Sequence, residues 1–268
     1  FNVAPVIDIA KDRDYVCPGD TINLVASGGA GTILCGAGTG SCSTPTIATV
    51  GTGTNTSGNP TPYEGGREDQ RMQIIYRAGE LQAAGMSAGK IESMAFDVSS
   101  QGQEDYDDFT IKIACVPNNE FTSDNFITAS FITVYSQDVS TNLGWNTYTF
   151  TTPYNWDGTS NLLVELCFNN DDDDGDDQVR VSNVGFDAVV RDRGNGGNGC
   201  NYNNVDSRRD RRPNTRFGFC TIAGNSSLTE YRWFPNINLT TDTGSNIGAI
   251  VYSNRSYLVW VTDTTQCD

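Results

Sequence analysis

The sequence predicts an all-β protein in which an Ig-like β-sandwich is interrupted by an inserted jelly-roll β-sandwich. Short segments of alternating apolar and polar residues recur along the chain, with Gly, Asn and Asp turns between them. Only one short segment has the composition of a helix. The pattern at the end of the chain resumes that of the beginning after a long middle part with a different spacing, which indicates one domain split by another.

The first and last parts of the chain supply the strands of the Ig-like domain. A strand, a Pro-Gly turn at 17–20 and a second strand open many Ig-like sandwiches. The strands near the end are too few to form a domain alone, so we assign residues 1–45 and 221–268 to one sandwich of five to seven strands. Its strands are predicted at 6–9, 21–26, 230–233, 249–252 and 257–262.

Residues 46–220 form the inserted domain. A helix of one or two turns is predicted at 80–84, because Glu, Leu, Gln and Ala favour helix and Gly85 ends it. The spacing of the other apolar runs is typical of a β-sandwich or jelly roll. Insertion at a loop is tolerated when the ends of the guest lie close together. The strands are predicted at 71–76, 91–98, 109–116, 131–135, 147–151, 162–168, 179–184, 188–191 and 216–219.

Composition argues against several function classes. A formal net charge of -16 repels nucleic acid. The absence of histidine removes the commonest general base, and with it Ser-His-Asp and Cys-His catalysis, so we predict no enzyme. No run approaches the ~18 apolar residues of a membrane span. No signal peptide is recognised, which indicates a mature or internal sequence.

When the beginning of the sequence is placed after its end, the two join without a break in the strand pattern. Residues 257–263 form a last strand, and residues 1–9 resemble the linker and first strand of a further module of the same kind. We therefore interpret the chain as one unit of a tandem array, which favours a surface fibre or adhesin over a self-contained enzyme.

Eight cysteines without a CxxC pair indicate disulfides in an oxidising compartment and argue against a zinc ribbon. In an Ig-like fold the last strand finishes at the end of the sandwich where the Cys17 turn lies, so we predict a Cys17–Cys267 bond. For the others the pairing stays open: Cys35 with Cys42 would close a small loop, whereas Cys220 with either would tie the root of the insert. The unassigned cysteines are Cys35, Cys42, Cys115, Cys167, Cys200 and Cys220.

Residues 171–177 hold six carboxylates, which repel one another unless a cation lies among them. The start of this run matches a calcium loop, but its twelfth position is Val181 and no helices flank it, which excludes an EF-hand. A looser Ca²⁺ loop in a β-hairpin is one hypothesis, and a solvated hairpin tip is the other. Residues 104–108 are a weaker second candidate. The predicted Ca²⁺ ligands are Asn170, Asp172, Asp174 and Asp176.

Seven arginines lie between Arg191 and Arg216. Because guanidinium groups suit carboxylates, we expect this face to meet an acidic one such as residues 171–177, within the module or in a neighbouring copy. Exposed pairs of this kind would fix register more than affinity. The predicted interface residues are Arg208, Arg209, Arg211 and Arg212.

Aromatic residues offer two interpretations. They could form a platform on which sugar rings stack, or they could fill the β-sheet cores, which is their commoner role on alternating strands. The residues concerned are Trp145, Tyr148, Tyr154, Trp156, Trp233 and Trp260.

Motifs in both parts of the chain resemble known modules. The C-P-G-D-T run at 17–21, Y-R-W-F-P at 231–235 and Y-L-V-W-V-T-D at 257–263 resemble the polycystic-kidney-disease (PKD)/Ig-like repeats of Bacteroidota surface proteins. The W-D-G-T-S-N run at 156–161 and the L-V-E-L-C-F run at 163–168 are the most specific part of the middle segment. They resemble a jelly-roll module of very large type IX-secreted adhesins, including the gliding-motility adhesin class.

The resemblance implies a structural repeat of an adhesin or filament, secreted or on a bacterial cell surface. Its partners would be neighbouring copies, and surface glycans or a substratum, but neither nucleic acid nor the membrane interior. A carbohydrate- or Ca²⁺-dependent binding module is the alternative. Thr21 and Thr264 lie in tripeptides that resemble the O-glycosylation signal of this phylum. The acidic and arginine-rich runs are not hallmarks of these families.

Overall fold

The computed structural model describes residues 7–28, 33–40, 42, 44–56, 60–102, 105–221 and 229–263. It confirms the all-β prediction: the described residues form antiparallel sheets, with one α-helix, α1 (Ala78–Ala83), and one 3₁₀ turn (Gly199–Asn201). No described helix has the length and apolar character needed to span a membrane. The strands are β1 (Ile7–Lys11), β2 (Thr21–Gly28), β3 (Gly36–Ala37), β4 (Thr46–Val50), β5 (Asp69–Tyr76), β6 (Gly89–Ser100), β7 (Asp105–Val116), β8 (Ile132–Ser140), β9 (Gly144–Trp156), β10 (Asn161–Asn169), β11 (Gln178–Val179), β12 (Val181–Asn183), β13 (Val189–Gly194), β14 (Ser207–Arg209), β15 (Arg211–Pro213), β16 (Thr215–Thr221), β17 (Thr229–Phe234), β18 (Asn246–Ile250) and β19 (Leu258–Asp263).

The chain divides into two compact units. The smaller unit combines Phe1–Thr32 with Ala223–Asp268, and the larger unit is Ile33–Ile222. The first boundary therefore falls earlier than the predicted one at 45/46. Residues 33–45 belong to the larger unit because β3 pairs with β9 and because Cys35 and Cys42 are bonded to cysteines of that unit.

The smaller unit contains five described strands in two sheets. One sheet has the order β1-β2-β18, and β17 pairs with β19 in the other. Alternation in β2 turns Leu24 and Ala26 inward, where they pack with Trp233 in a small core completed by Ile247 and Ala249. The Trp233 Nε1–H donates to the Gly244 carbonyl at 2.9 Å, which satisfies the one polar atom of this buried side chain.

The larger unit is a β-sandwich. One sheet has the order β14-β13-β5-β10-β7-β8, and the other has the order β3-β9-β6-β16-β4 with β11 added at β6. Side chains from both sheets form one core, in which Tyr63, Phe96, Phe109, Phe168 and Phe217 are buried. A second cluster lies on the opposite face of β10, where Leu163 packs with Ile75 and Val190 beneath residues of the 121–131 segment.

The predicted helix begins two residues earlier than expected. The Glu80 Oε2 atom accepts a hydrogen bond from the Arg77 N–H at 3.0 Å, which satisfies one of the free amides at the start of the helix. Gly85 follows the helix with φ +94°, a conformation that favours glycine. The structure thus confirms the prediction of a short helix that ends before Gly85.

Among the described residues there are three disulfides, and all lie in the larger unit: Cys35–Cys115, Cys42–Cys220 and Cys167–Cys200. The alternative in which Cys35 bonds Cys42 is therefore wrong. Cys42–Cys220 joins two residues near the points where the chain enters and leaves the larger unit. Three disulfides fit a protein that folds outside the reducing cytoplasm.

Candidate functional site

Carboxylates from three chain segments meet at one place in the larger unit. Asp105, Asp107 and Asp108 open β7, Asp138 lies in β8, and Asp171 follows β10. The Asp108 N–H donates to Asp138 Oδ1 at 3.0 Å. Burial, and then the negative charges of Asp138, Asp171, Asp105 and Asp108, raise the pKa of Asp107. These five residues, the acidic rim, bring together segments that the sequence presented as two separate candidates.

The four predicted Ca²⁺ ligands do not form one coordination set. The Asn170 Oδ1 atom accepts from the Asp107 N–H at 2.9 Å, and Asp176 Oδ1 accepts from the Gly66 N–H at 3.0 Å. Among the described residues, no three carboxylates of the 171–177 run bring an oxygen each within 4.8 Å of one another. Two of the four side chains thus hold loops together, and Ca²⁺ binding by Asn170, Asp172, Asp174 and Asp176 stays a prediction.

The last carboxylate of the acidic run belongs to the interior. Asp177 is fully buried and accepts hydrogen bonds from the Gly102 N–H at 2.7 Å and from Thr141 Oγ1 at 2.5 Å. Nearby, the hydroxyls of Tyr63 and Tyr148 are 2.6 Å apart, and burial raises the pKa of both groups. Asp177 therefore joins three chain segments and is not part of a solvated tip.

We expect Asp107→Asn to raise the melting temperature at neutral pH and low salt. The raised pKa of Asp107 means that the folded state binds its proton more tightly than the unfolded state, so the charged form disfavours folding. The gain should shrink as pH falls through that pKa and when salt screens the rim. Thermal melts at several pH values and salt concentrations test this, with Asp210→Asn as the control. A lower melting temperature for Asp107→Asn would contradict it.

The structure corrects the prediction for Arg212 as an interface residue. Its side chain is only 2% exposed, and its guanidinium bonds both oxygens of Glu80 at 2.8 and 3.0 Å and the Ile75 carbonyl at 2.8 Å. The same group lies 4.4 Å from the centroid of the Tyr76 ring. Burial would raise the pKa of Glu80, but the bonds from Arg212 outweigh it and lower that pKa. Arg212 fastens helix α1 to the sandwich.

Among the other predicted interface arginines, Arg208 pairs with an acid outside residues 171–177. Arg208 Nε lies 2.8 Å from Asp187 Oδ2. Arg209 donates to the Arg208 carbonyl at 2.9 Å, and Arg211 lies in β15 opposite Asn183. Arg208, Arg209 and Arg211 are partly exposed, so they remain the predicted interface residues.

Two buried ionic clusters were not predicted. Arg191 contacts the fully buried carboxylate of Glu64, and burial followed by the charge of Arg193 lowers the pKa of Arg191 to about 10. On the face of β10 opposite the main core, Glu165 is 2% exposed and lies 2.6 Å from Arg71 Nη2 and 3.0 Å from Lys112 Nζ. Alternation along β10 could have predicted the face on which Glu165 lies. Its partners Arg71 and Lys112 belong to other strands, so the sequence around Glu165 does not predict them.

The aromatic residues separate into two groups. Tyr148, Tyr154, Trp156 and Trp233 are buried in the cores, as the core interpretation predicts. Trp145 is partly exposed, and Arg216 lies 4.1 Å from its ring centroid. Trp260 is 69% exposed on β19, where it meets Phe234 edge to face at 6.1 Å. Of the six, Trp260 presents the largest exposed face to a ligand.

The predicted Cys17–Cys267 disulfide and the predicted glycosylation sites involve residues outside the described part of the chain. Cys17 is exposed and forms no disulfide with any described residue. Cys267 lies outside the described residues, so the Cys17–Cys267 bond stays a prediction. Thr21 is exposed at the start of β2, and Thr264 lies outside the described residues.

Each of two disulfides has a carboxylate beside it. Cys42 and Cys220 lie with Glu92, and Cys35 and Cys115 with Asp157, so that the sulfurs and one carboxylate oxygen are within 4.8 Å of one another. Such groups resemble metal-ligand sets, but the sulfurs are bonded to each other and not free to ligate.

Comparisons with protein-family models, with curated proteins and with solved structures found no match.

Proposed function

We propose that this protein is a structural repeat module of a large extracellular adhesin or surface filament, in which a PKD/Ig-like sandwich carries an inserted jelly-roll sandwich. One observation carries the proposal. The first and last described strands, β1 and β19, both belong to the smaller unit, and the larger unit is an insert between β2 and β17. Any residues joined before Ile7 or after Asp263 therefore attach to the smaller unit, and copies can follow one another through the smaller units.

The interior of the larger unit supports a structural role. Two of its buried charged groups are held by ion pairs: Glu165 with Arg71 and Lys112, and Arg212 with Glu80. Three disulfides add covalent links between distant segments. Neighbouring copies are the proposed partners, with Arg208, Arg209 and Arg211 as contact residues. A role in gliding motility rests on the resemblance in sequence alone.

Electron microscopy of the material isolated from its source tests this proposal. We expect a fibre with an axial repeat, because copies joined through their smaller units would follow one another along one axis. Rotary-shadowed or negatively stained particles that are single globules at all concentrations would contradict the filament. A two-copy polypeptide with Arg208→Ala and Arg209→Ala, compared with the unchanged two-copy chain, tests whether these arginines fix the geometry between copies.

A carbohydrate-binding module is the second candidate, and the exposure of Trp260 beside Phe234 and Leu258 favours it. An exposed tryptophan offers a flat apolar face to a sugar ring. A glycan array probed with the whole chain should show binding that Trp260→Ala abolishes and Trp145→Ala retains. If no glycan binds, or if Trp260→Ala binds unchanged, this candidate fails while the filament proposal stands.

A further inference from the structure

The three disulfides differ in what protects them from solvent thiols. Cys167 is 1% exposed and its partner Cys200 is partly exposed, whereas both cysteines of Cys35–Cys115 and both of Cys42–Cys220 are partly exposed. These last two disulfides each have a carboxylate oxygen within 4.8 Å of the two sulfurs. For Cys167–Cys200, no such carboxylate is found in the part of the chain that the structure describes. A carboxylate therefore lies beside the two disulfides in which neither cysteine is buried.

Local structure places Glu92 beside its disulfide. In the pairing of β6 with β16, Gly218 faces Ser93 and Phe219 faces Ile91, so Glu92 is the extra residue of a bulge. The β6–β9 pairing shifts register at the same point. A bulge redirects the side chain of its extra residue. The Cys42 N–H donates to Glu92 Oε1 at 2.6 Å, which ties the carboxylate to the backbone of the disulfide.

Asp157 is held beside Cys35–Cys115 in a similar way. Its Oδ2 accepts from Ser160 Oγ at 2.6 Å, and its Oδ1 accepts from the N–H groups of Ser160 and Thr159 at 2.8 and 2.9 Å. Burial would raise the pKa of Asp157, but the bonds from Ser160 and Thr159 outweigh it and lower that pKa. The group is therefore charged at neutral pH.

Reduction of a disulfide by a small thiol proceeds through anions. A thiolate attacks one cysteine sulfur, a bond forms between them, the Sγ–Sγ bond breaks, and the second cysteine leaves as a thiolate. A second reagent thiolate then attacks the mixed disulfide, which releases the oxidised reagent and the first cysteine as a thiolate. Both cysteine thiolates take protons from water. A fixed carboxylate beside the sulfurs repels the incoming thiolate and disfavours the departing one.

We propose that two carboxylates protect neighbouring disulfides against reduction by anionic thiols. Glu92 protects Cys42–Cys220, and Asp157 protects Cys35–Cys115. Lys90 is the nearby cation of the Cys42 loop, and its Nζ donates to the Gly40 carbonyl at 2.9 Å and to the carbonyl of Thr39. Lys90 attracts an approaching thiolate and Glu92 repels it. A variant that changes Glu92 alone therefore isolates the repulsion.

Glu92→Gln in the whole chain is the decisive variant, because the amide oxygen of Gln can still accept the Cys42 N–H. Mercaptoacetate and cysteamine serve as anionic and cationic thiols, and mass spectrometry of alkylated cysteines follows each disulfide. Glu92→Gln should accelerate reduction of Cys42–Cys220 by mercaptoacetate about fivefold, as ~1 kcal/mol of repulsion at about 4 Å in water implies. Reduction by cysteamine should be accelerated less, because its ammonium group offsets the charge of the attacking thiolate, and Cys167–Cys200 should keep its rate with both reagents.

A purely structural role for Glu92 would accelerate both reagents equally, or neither, and either outcome would overturn the proposal. Asp157→Asn gives the parallel test at Cys35–Cys115. If that variant unfolds because its hydrogen bonds to Ser160 and Thr159 weaken, the Glu92→Gln result still decides. Melting temperatures measured before reduction separate a loss of folding from a loss of repulsion.

Discussion

Replacing Cys42 and Cys220 together by alanine is expected to lower the free energy of unfolding of the larger unit by about 4 kcal/mol. The bond joins residues 178 apart in the sequence; the other two disulfides shorten the loop that it closes to about 80 residues, and its removal frees that loop in the unfolded chain. Hydrogen exchange of the β5 and β10 amides at increasing urea concentration measures this, because both strands lie at the centre of one sheet of the larger unit.

The matched control is the double alanine variant of Cys167 and Cys200, whose loop spans 33 residues. Since the entropy of loop closure scales with the logarithm of loop length, this variant should lose about 0.8 kcal/mol less. Equal losses, or a larger loss for the shorter loop, would show that native-state contacts and not chain entropy dominate the contribution of the Cys42–Cys220 bond.

Glu165→Gln is expected to destabilise the larger unit by about 3–5 kcal/mol, because it leaves Arg71 and Lys112 beside one another without their carboxylate. The control is Glu230→Gln, whose partner Arg232 is exposed; its effect should stay below about 1 kcal/mol. Urea unfolding at pH 7 compares the two. Similar effects for both variants would mean that the Glu165 cluster contributes no more than a surface ion pair.

The same carboxylate predicts an acid-sensitive transition. Burial would raise the pKa of Glu165, but the bonds from Gln73, Arg71 and Lys112 outweigh it and hold the pKa below its usual value of 4.5. A lowered folded-state pKa contributes stability that is present above 4.5 and is lost as pH falls below it through the folded-state value. The pH dependence of unfolding between neutral pH and that value should therefore be flatter in Glu165→Gln than in the unchanged protein.

Alternation of apolar residues identified most long strands, but it failed where the residues are small and polar. β4 (Thr46–Val50) was missed because residues 28–58 are rich in Gly, Thr and Ser, although Ala48 and Val50 of that strand are buried. The predicted strand at 249–252 was displaced: β18 is Asn246–Ile250, because its pairing with β2 runs from Asn246, opposite Val25, to Ile250, opposite Thr21. Strand ends depend on partners that a single segment does not reveal.

Charge runs were the least predictable feature for the candidate sites. Asp171 and Asp177 belong to one run, yet the first is exposed on the acidic rim and the second is buried. Arg211 and Arg212 are adjacent, yet alternation along β15 turns the second toward Glu80. A run of like charges in the sequence does not show which of its residues is exposed. That depends on the alternation of side chains along the strand and on partners that are distant in the sequence.

The Cys42–Cys220 bond also decides how the chain would respond to tension. In the proposed head-to-tail array, a pull along the backbone through β1 and β19 passes from Cys42 to Cys220 across a single covalent bond. The intervening chain, roughly 600 Å when extended, lies outside the load path. Each copy in the array would lengthen only through residues before Cys42 and after Cys220, and the part of the insert between these two cysteines would stay folded while the fibre is stretched.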